Sequence, residues 1–171
     1  MSDLQTQPIK TVSAIMPVYY NQYSLAQLFA ELQEFEKDLK ERQLALELIF
    51  VDDGSGDESL VELMKIKQVR PATKVIKLTR NFGSVAASKT GFRFVTGDCF
   101  CILAADRQDP VAKVLEMVDC WLAGEKFVVC ARDSREDPVS TRFFAAIYYV
   151  VIRWLIAADY PRGGFDLMLL D

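Results

Sequence analysis

The sequence contains no histidine, and this absence removes a whole class of catalytic sites. Ser-His-Asp triads, Cys-His pairs and the HExxH zinc motif all need that side chain. Chemistry in this chain of 171 residues must therefore use carboxylates, lysine or arginine, hydroxyls, thiols or backbone groups. The chain also lacks the glycine-lysine loop of P-loop nucleotidases and the GxGxxG motif of dinucleotide-binding enzymes, so neither class has its phosphate-binding loop here.

Charge and cysteine content narrow the function classes further. The formal net charge is −4, which argues against a broad basic surface, so no nucleic-acid partner is expected. The four cysteines, Cys99, Cys101, Cys120 and Cys130, form no CxxC pair, so a structural zinc site is not expected. We expect buried, reduced thiols of a cytoplasmic protein, with Cys99 and Cys101 on one face of a strand.

Short apolar segments alternate with segments of helical spacing, and the length fits one domain of about 150 residues. Apolar strand segments are typical of strands buried on both faces. We therefore predict an α/β fold, a Rossmann-like three-layer α/β/α sandwich with a mostly parallel central sheet. Ser24 is predicted to cap the first helix. Predicted strands cover 11–18, 46–51, 74–78, 99–103 and 127–131, and predicted helices cover 24–43, 57–69, 85–94, 110–123 and 139–158.

Polar side chains follow four of the predicted strands, at the point where each strand ends. The carboxyl ends of parallel strands meet at one edge of a sheet, and ligands bind there in this class of fold. A structural scaffold needs no such convergence, so we predict a ligand site at this edge. The four clusters are Pro17-Val18-Tyr19-Tyr20-Asn21, Asp52-Asp53-Gly54-Ser55, Arg80-Asn81-Phe82-Gly83 and Asp106-Arg107-Gln108-Asp109-Pro110.

Two of these clusters carry carboxylates suited to binding. Asp52 and Asp53 lie on a tight turn, where a carboxylate can accept hydrogen bonds from a nucleobase or ribose; ordinary turn chemistry with a cap for the next helix is the alternative. Asp106 and Gln108 alternate along a loop and could hold Mg²⁺ or Mn²⁺ through oxygen ligands. The alternative there is a solvated loop in which Asp109 caps the following helix.

The region after the fifth predicted strand combines arginines with an apolar run. Arg132, Arg135 and Arg142 suit bidentate phosphate recognition, with a solvated charged loop as the alternative. The run 143–158 is shorter than the about 20 apolar residues of a membrane span and is interrupted by Arg153. Its aromatic content suits a helix over 139–158 that lies at a membrane surface; a buried core helix is the alternative.

Taken in order, several stretches between about Val12 and Asp171 resemble family 2 glycosyltransferases of the GT-A fold. They are most similar to the polyprenyl-phosphate sugar transferase branch of that family, which includes dolichol-phosphate mannose synthase. The stretches are IMPVYYN, LIFVDDGSGDES, KLTRNFGSVAASKTGF, TGD, AADRQDP and GGFDLMLLD.

The resemblance implies a role for each cluster. The cation would be Mg²⁺ or Mn²⁺, bound by Asp106 with help from Gln108. Ala104 stands where the family commonly has the first aspartate of Asp-Ala-Asp-x-Gln-Asp-Pro, which puts the metal affinity in question. Asp106 and Asp166 would be the catalytic carboxylates. The implied contacts to the nucleotide-sugar are Pro17, Val18, Tyr19, Asn21, Asp52, Asp53, Arg80, Asn81, Lys89, Ala105 and Asp106.

The implied reaction is inverting transfer of a sugar from a UDP- or GDP-sugar to polyprenyl phosphate, with Arg132, Arg135 and Arg142 binding the acceptor phosphate. A phosphate monoester has its second pKa at about 6, so this acceptor is already ionised and scarcely needs a base. The chain would be a single GT-A catalytic domain, 1–171, cut short at its C-terminus. It would act at the cytoplasmic face of a membrane, and a homo-oligomer is left open.

Two other interpretations stay open. A saccharide acceptor would need a general base, for which Asp166 is the candidate. In the second, the chain is a non-catalytic nucleotide-sugar or membrane-docking module, and Ala104 marks lost metal binding. Testing whether transfer depends on a phosphate on the acceptor distinguishes a saccharide acceptor from polyprenyl phosphate. Titration of UDP and GDP with and without Mn²⁺ distinguishes a non-catalytic module from an enzyme.

Overall fold

The computed structural model describes residues 9–107, 110–131 and 165–171. The predicted helix over 139–158, together with Gln108, Arg132, Arg135 and Arg142, lies outside these described residues. The strands are β1 (Thr11–Val18), β2 (Ala45–Asp52), β3 (Lys74–Lys77), β4 (Cys99–Ile102), β5 (Phe127–Ala131) and β6 (Phe165–Leu170). The helices are α1 (Leu25–Glu41), α2 (Ser59–Val69), α3 (Ser84–Phe92) and α4 (Val111–Leu122).

The strands form one sheet in the order β3-β2-β1-β4-β6-β5. The pairs β1–β2, β2–β3 and β1–β4 are parallel, which confirms the mostly parallel sheet. The strand β6 was not predicted, and it runs antiparallel to both of its neighbours, β4 and β5. Parallel pairing therefore does not extend to this edge of the sheet.

Helices cover both faces of the sheet, which gives the predicted three layers. On one face, buried residues of α1, α2 and α4 form one apolar cluster with residues of β1 such as Ala14 and Met16. On the other face, Ala87 of α3 packs against Ile15 and Ile49. The apolar stripe of α1 is buried as its spacing predicts, because residues three and four apart share one face of a helix. Its buried members are Leu25, Leu28, Phe29, Leu32, Phe35 and Leu39.

The four cysteines are free thiols, but their environments differ. Cys99 and Cys101 are buried on one face of β4, and burial raises the pKa of each thiol to about 12. Cys130 is half-buried, and Cys120 is exposed on α4. The expectation of buried thiols is therefore correct for two and wrong for Cys120, because that position lies on the outer face of its helix.

The amino end of the sheet is joined by a network around Glu47. Its Oε1 accepts hydrogen bonds from Lys74 Nζ at 2.6 Å and from Thr96 Oγ1 at 2.5 Å, and its Oε2 accepts one from Ser13 Oγ at 2.7 Å. Burial alone would raise the pKa of Glu47, but these bonds outweigh it and lower the pKa to about 2. The network ties three strands together at the end opposite the predicted ligand site.

Among residues 9–107, 110–131 and 165–171, no helix combines the length and the apolar character that crossing a bilayer requires.

Candidate functional site

A cavity of about 640 Å³ opens at the carboxyl edge of the sheet, where the sequence predicts a ligand site. Its walls come from the loops after β1, β2, β3 and β4, from the inner face of α3, and from β6. Nine of the residues assigned by the resemblance line it, namely Pro17, Val18, Tyr19, Asn21, Asp53, Asn81, Lys89, Ala105 and Asp106. The structure therefore brings together residues that are far apart in sequence.

Asp52 and Arg80 do not line this cavity. Asp52 is buried beneath the turn; its Oδ1 accepts the N–H of Ser55 at 3.1 Å, and its Oδ2 has no hydrogen-bond partner among the described residues. Arg80 is exposed, and its guanidinium stacks over the ring of Phe82 at 4.7 Å. The backbone of Asp166 lies in β6, two residues before Met168, which lines the cavity. Their contacts to a nucleotide-sugar stay predictions.

Asp53 fixes the shape of the loop after β3. The carboxylate is 2% exposed; its Oδ1 accepts the N–H of Phe82 and its Oδ2 accepts the N–H of Gly83, both at 2.8 Å. Gly54, with φ +71°, lies under the same loop, and a Cβ there would meet Arg80 backbone carbons at 2.5 and 2.6 Å. Asp53 therefore organises the wall of the cavity, and its remaining lone pairs are what it can offer a ligand.

The loops after β1 and β2 are joined by side chains that accept backbone N–H groups. Asn21 Oδ1 accepts the N–H of Tyr19 at 2.8 Å, Ser55 Oγ accepts that of Tyr20 at 3.1 Å, and Ser59 Oγ accepts that of Asn21 at 2.9 Å. Tyr20 has φ +56°, an uncommon conformation for a residue with a side chain, so these bonds hold a turn that would otherwise relax. They orient Tyr19 and Asn21 into the cavity wall.

The loop after β4 presents Asp106 at the edge of the cavity. This loop is attached to α1, because Ser24 Oγ donates a hydrogen bond to the carbonyl oxygen of Ala105 at 2.8 Å. Ser24 does precede the first residue of α1, but its side chain makes no capping hydrogen bond. The predicted cap is therefore wrong in its chemistry: the hydroxyl bonds to carbonyl oxygens, those of Asn21 and Ala105, rather than to the N–H groups of the helix.

The donor set around the cavity fits a cation that shares its ligands with a substrate. Within the described part of the chain, no three histidine, cysteine or acidic residues cluster closely enough to hold a metal by themselves. Asp106 supplies a carboxylate at the cavity, whereas Ala104 lines it with a methyl group. Mg²⁺ is commonly bound through one or two carboxylates together with phosphate oxygens, and Asp106 suits that arrangement.

Sequence reasoning missed one wall of the cavity. The residues on that wall come mainly from α3 and the ends of β4 and β6. Helix α3 follows directly after the loop held by Asp53, and its small residues leave room beside the sheet. That composition, in a helix that begins at the ligand edge, is the signal that could have identified them. They are Ser84, Val85, Ser88, Phe92, Ile102, Leu103 and Met168.

Comparison with known proteins gives one family match and many relatives. The sequence model of the family described as "Glycosyl transferase family 2" matches residues 13–162. An undecaprenyl-phosphate 4-deoxy-4-formamido-L-arabinose transferase of Serratia proteamaculans is 35% identical over 96% of this chain and 49% of its own length. The corresponding transferase of Salmonella choleraesuis is 33% identical over 85% of this chain and 44% of its own length. The chain thus spans about half the length of the curated relatives that it matches.

Two solved structures share the fold. One is the mannosyltransferase PcManGT from Pyrobaculum calidifontis in complex with GDP-Man and Mn²⁺, with a TM-score of 0.64 and 21% identity over 95% of this chain and 44% of that one. The other is glucosyl-3-phosphoglycerate synthase from Mycobacterium tuberculosis with Mn²⁺, UDP and glucosyl-3-phosphoglycerate. Its TM-score is 0.66, with 16% identity over 94% of this chain and 57% of that one. At these identities the likeness shows the GT-A fold alone.

Proposed function

Because this chain belongs to glycosyl transferase family 2, we propose that it transfers a sugar from a UDP- or GDP-sugar to a polyprenyl phosphate. The observation that carries the proposal is the cavity of about 640 Å³ at the carboxyl edge of the sheet, lined by both Asp53 and Asp106. A cavity of that size suits a small molecule, and its position is the one at which this class of fold binds ligands.

The donor would occupy the cavity between the loops after β1 and β3. Tyr19 offers an aromatic surface in the same cavity as the carboxylate of Asp53, a combination suited to a nucleobase and ribose. Lys89, on α3, brings a positive charge to the same cavity, where the diphosphate needs one. An aromatic ring, a carboxylate and a cation in one cavity together support binding of a nucleotide-sugar there.

A divalent cation would be held by Asp106 together with phosphate oxygens of the donor, with Gln108 as a further ligand. When bound, Mg²⁺ or Mn²⁺ would offset the charge that builds on the leaving diphosphate. The chain itself contributes the position of Asp106, fixed by the loop after β4, and the exclusion of water by apolar wall residues such as Leu103 and Met168. Both solved structures named above hold Mn²⁺, which agrees with this choice of metal.

The acceptor would be a polyprenyl phosphate, as the names of the Serratia and Salmonella relatives suggest. Its phosphate oxygen is a nucleophile that is ionised near neutral pH, since the second pKa is about 6. This suits a chain without histidine. Arg132, Arg135 and Arg142 would bind the phosphate, and the segment 139–158 would lie against the lipid tail at the cytoplasmic membrane face.

The test is sugar transfer by the whole chain from a panel of UDP- and GDP-sugars with Mn²⁺. Undecaprenyl phosphate, undecaprenol without phosphate, and a soluble saccharide serve as parallel acceptors. We expect product with the phosphorylated lipid alone. Transfer to the saccharide would instead favour Asp166 as a base, and failure to bind either UDP or GDP would favour a non-catalytic module. Asp38→Asn, an acidic residue of α1 outside the cavity, is the matched control for Asp106→Asn.

A further inference from the structure

The loop that carries Asp106 is attached to α1 at a second point, through its next residue. Arg107 donates hydrogen bonds from Nε and Nη2 to Oε1 of Glu31, at 2.9 and 2.6 Å. Glu31 lies in the second turn of α1, one and a half to two turns beyond Ser24, which bonds to Ala105. The helix therefore holds the loop on both sides of Asp106.

Consecutive side chains of this loop face different cavities. Asp106 lines the large cavity of about 640 Å³. Arg107 lines a smaller one of about 480 Å³ between α1 and the start of α4, where Glu31, Glu34 and Asp38 give it an acidic wall. On that wall Arg107 pairs with Glu31, while its neighbour Asp106 lines the other cavity. Loss of the ion pair would leave the side chain of Arg107 without this anchor on α1.

The backbone conformation at Arg107 makes the loop depend strongly on its ion pair with Glu31. Its φ is +67°, in the left-handed region that residues with a Cβ rarely adopt. Such a conformation persists where surrounding contacts over-determine it. Among the described contacts of Arg107 are a backbone hydrogen bond to Ala104 at 3.4 Å and the paired bonds to Glu31. The paired side chains are 31% and 35% exposed, so solvent screens them less than a surface pair.

We infer that Glu31 is a positioning residue for the cation site: its ion pair with Arg107 holds the loop in the conformation that turns Asp106 toward the cavity. The inference rests on the proposed function, since it assumes that Asp106 binds a divalent cation. Glu31 itself would contact neither the sugar donor nor the cation. Partners that orient a metal ligand typically change metal affinity by about 10- to 100-fold when they are removed.

The experiment measures UDP and GDP binding to the whole chain by calorimetry, in the absence of metal and at increasing Mn²⁺. For Glu31→Ala we expect the Mn²⁺ concentration at half-maximal stimulation to rise about tenfold, with metal-free nucleotide binding unchanged. Glu31→Gln, which keeps an acceptor oxygen, should recover part of the loss. Glu34→Ala is the matched control, because Glu34 lies on the same wall and pairs with Lys37 instead.

A second pair of variants separates the ion pair from the backbone strain. Glycine adopts positive φ without cost, so Arg107→Gly should impair Mn²⁺ stimulation less than Arg107→Ala does. Adding Glu31→Ala to Arg107→Ala should cause no further loss, because both remove the same interaction.

The outcomes distinguish the inference from the proposed function. If the parent chain binds UDP or GDP with Mn²⁺ stimulation and Glu31→Ala retains its Mn²⁺ requirement, the inference is overturned while the proposed function stands. A fall in metal-free nucleotide binding that parallels a lower melting temperature would show a structural role and would also overturn it. If Mn²⁺ has no effect on nucleotide binding by the parent chain, the metal site fails and the inference fails with it.

Discussion

Replacing Asp53 with alanine removes the acceptor of two partly buried backbone N–H groups, those of Phe82 and Gly83. The N–H of Gly83 keeps a second acceptor, Asn81 Oδ1 at 2.8 Å, whereas the N–H of Phe82 loses its acceptor. Leaving one such donor unpaired costs about 1–3 kcal/mol, and the free energy of unfolding should fall by that amount. That is a large share of the roughly 5–15 kcal/mol that holds a domain of this kind together. Asp53→Asn keeps one acceptor oxygen, so we expect it to lose about half as much and to stay folded.

Two measurements check this prediction. Urea unfolding at pH 7 gives the loss of stability for both variants against Asp38→Ala. Amide hydrogen exchange locates the loss: the N–H of Phe82 should exchange faster and that of Gly83, which keeps Asn81 as an acceptor, should change less. The N–H of Leu78, which bonds to the main-chain oxygen of Asp52, should keep its protection. UDP or GDP should also bind less tightly, since the loop forms a wall of the cavity. An Asp53→Ala protein within about 0.5 kcal/mol of the parent, with the N–H of Phe82 still protected, would refute the reasoning.

Four further predictions concern other parts of the chain. The pKa of Glu47 is lowered from 4.5 to about 2 in the folded protein. Its contribution to the free energy of unfolding is therefore complete above pH 4.5 and disappears as the pH falls through 2. Glu47→Gln should lower that free energy by about 2 kcal/mol at pH 7, and the difference from the parent should vanish in acid. Asp106→Asn should abolish Mn²⁺-stimulated nucleotide binding without shifting the melting temperature, and retained stimulation would contradict its role as a ligand. Ala104→Asp should tighten Mn²⁺ binding in the same titration, and an unchanged affinity would mean that this loop does not direct position 104 to the cation. Arg132→Ala or Arg142→Ala should impair transfer to undecaprenyl phosphate while nucleotide binding is spared; normal transfer would remove these residues from the acceptor site.

The sequence predicts well whatever depends on local spacing. The bounds of β1 and β5 match their predicted ranges, and the buried stripe of α1 follows its apolar positions, because burial there is set by a helical period. The carboxyl edge rule likewise locates the cavity, since parallel strands bring their ends together.

What the sequence does not predict are contacts between distant segments. Strand β6 is recognisable in the structure by its pairing with β4 and β5, a pairing that no local pattern encodes. Both carboxylate oxygens of Asp53 accept hydrogen bonds from amides about 30 positions away. The spacing of residues in the sequence does not predict these bonds either. The ion pair of Glu31 with Arg107 spans 76 positions and depends on how α1 lies against the loop.

The placement of β6 also determines an order of assembly. Strand β5 joins the sheet through β6, which comes later in the chain than every other described strand. Strands β1 to β4 can associate as the chain emerges, whereas β5 must wait for a distant segment to return, and such non-local pairing is slow. Met168 lies in β6, so the side of the cavity that it lines forms only when β6 pairs with the sheet. A partly made or refolding chain therefore holds β5 with an unpaired edge before its ligand site exists, and in that interval it is most prone to pair with other copies of itself.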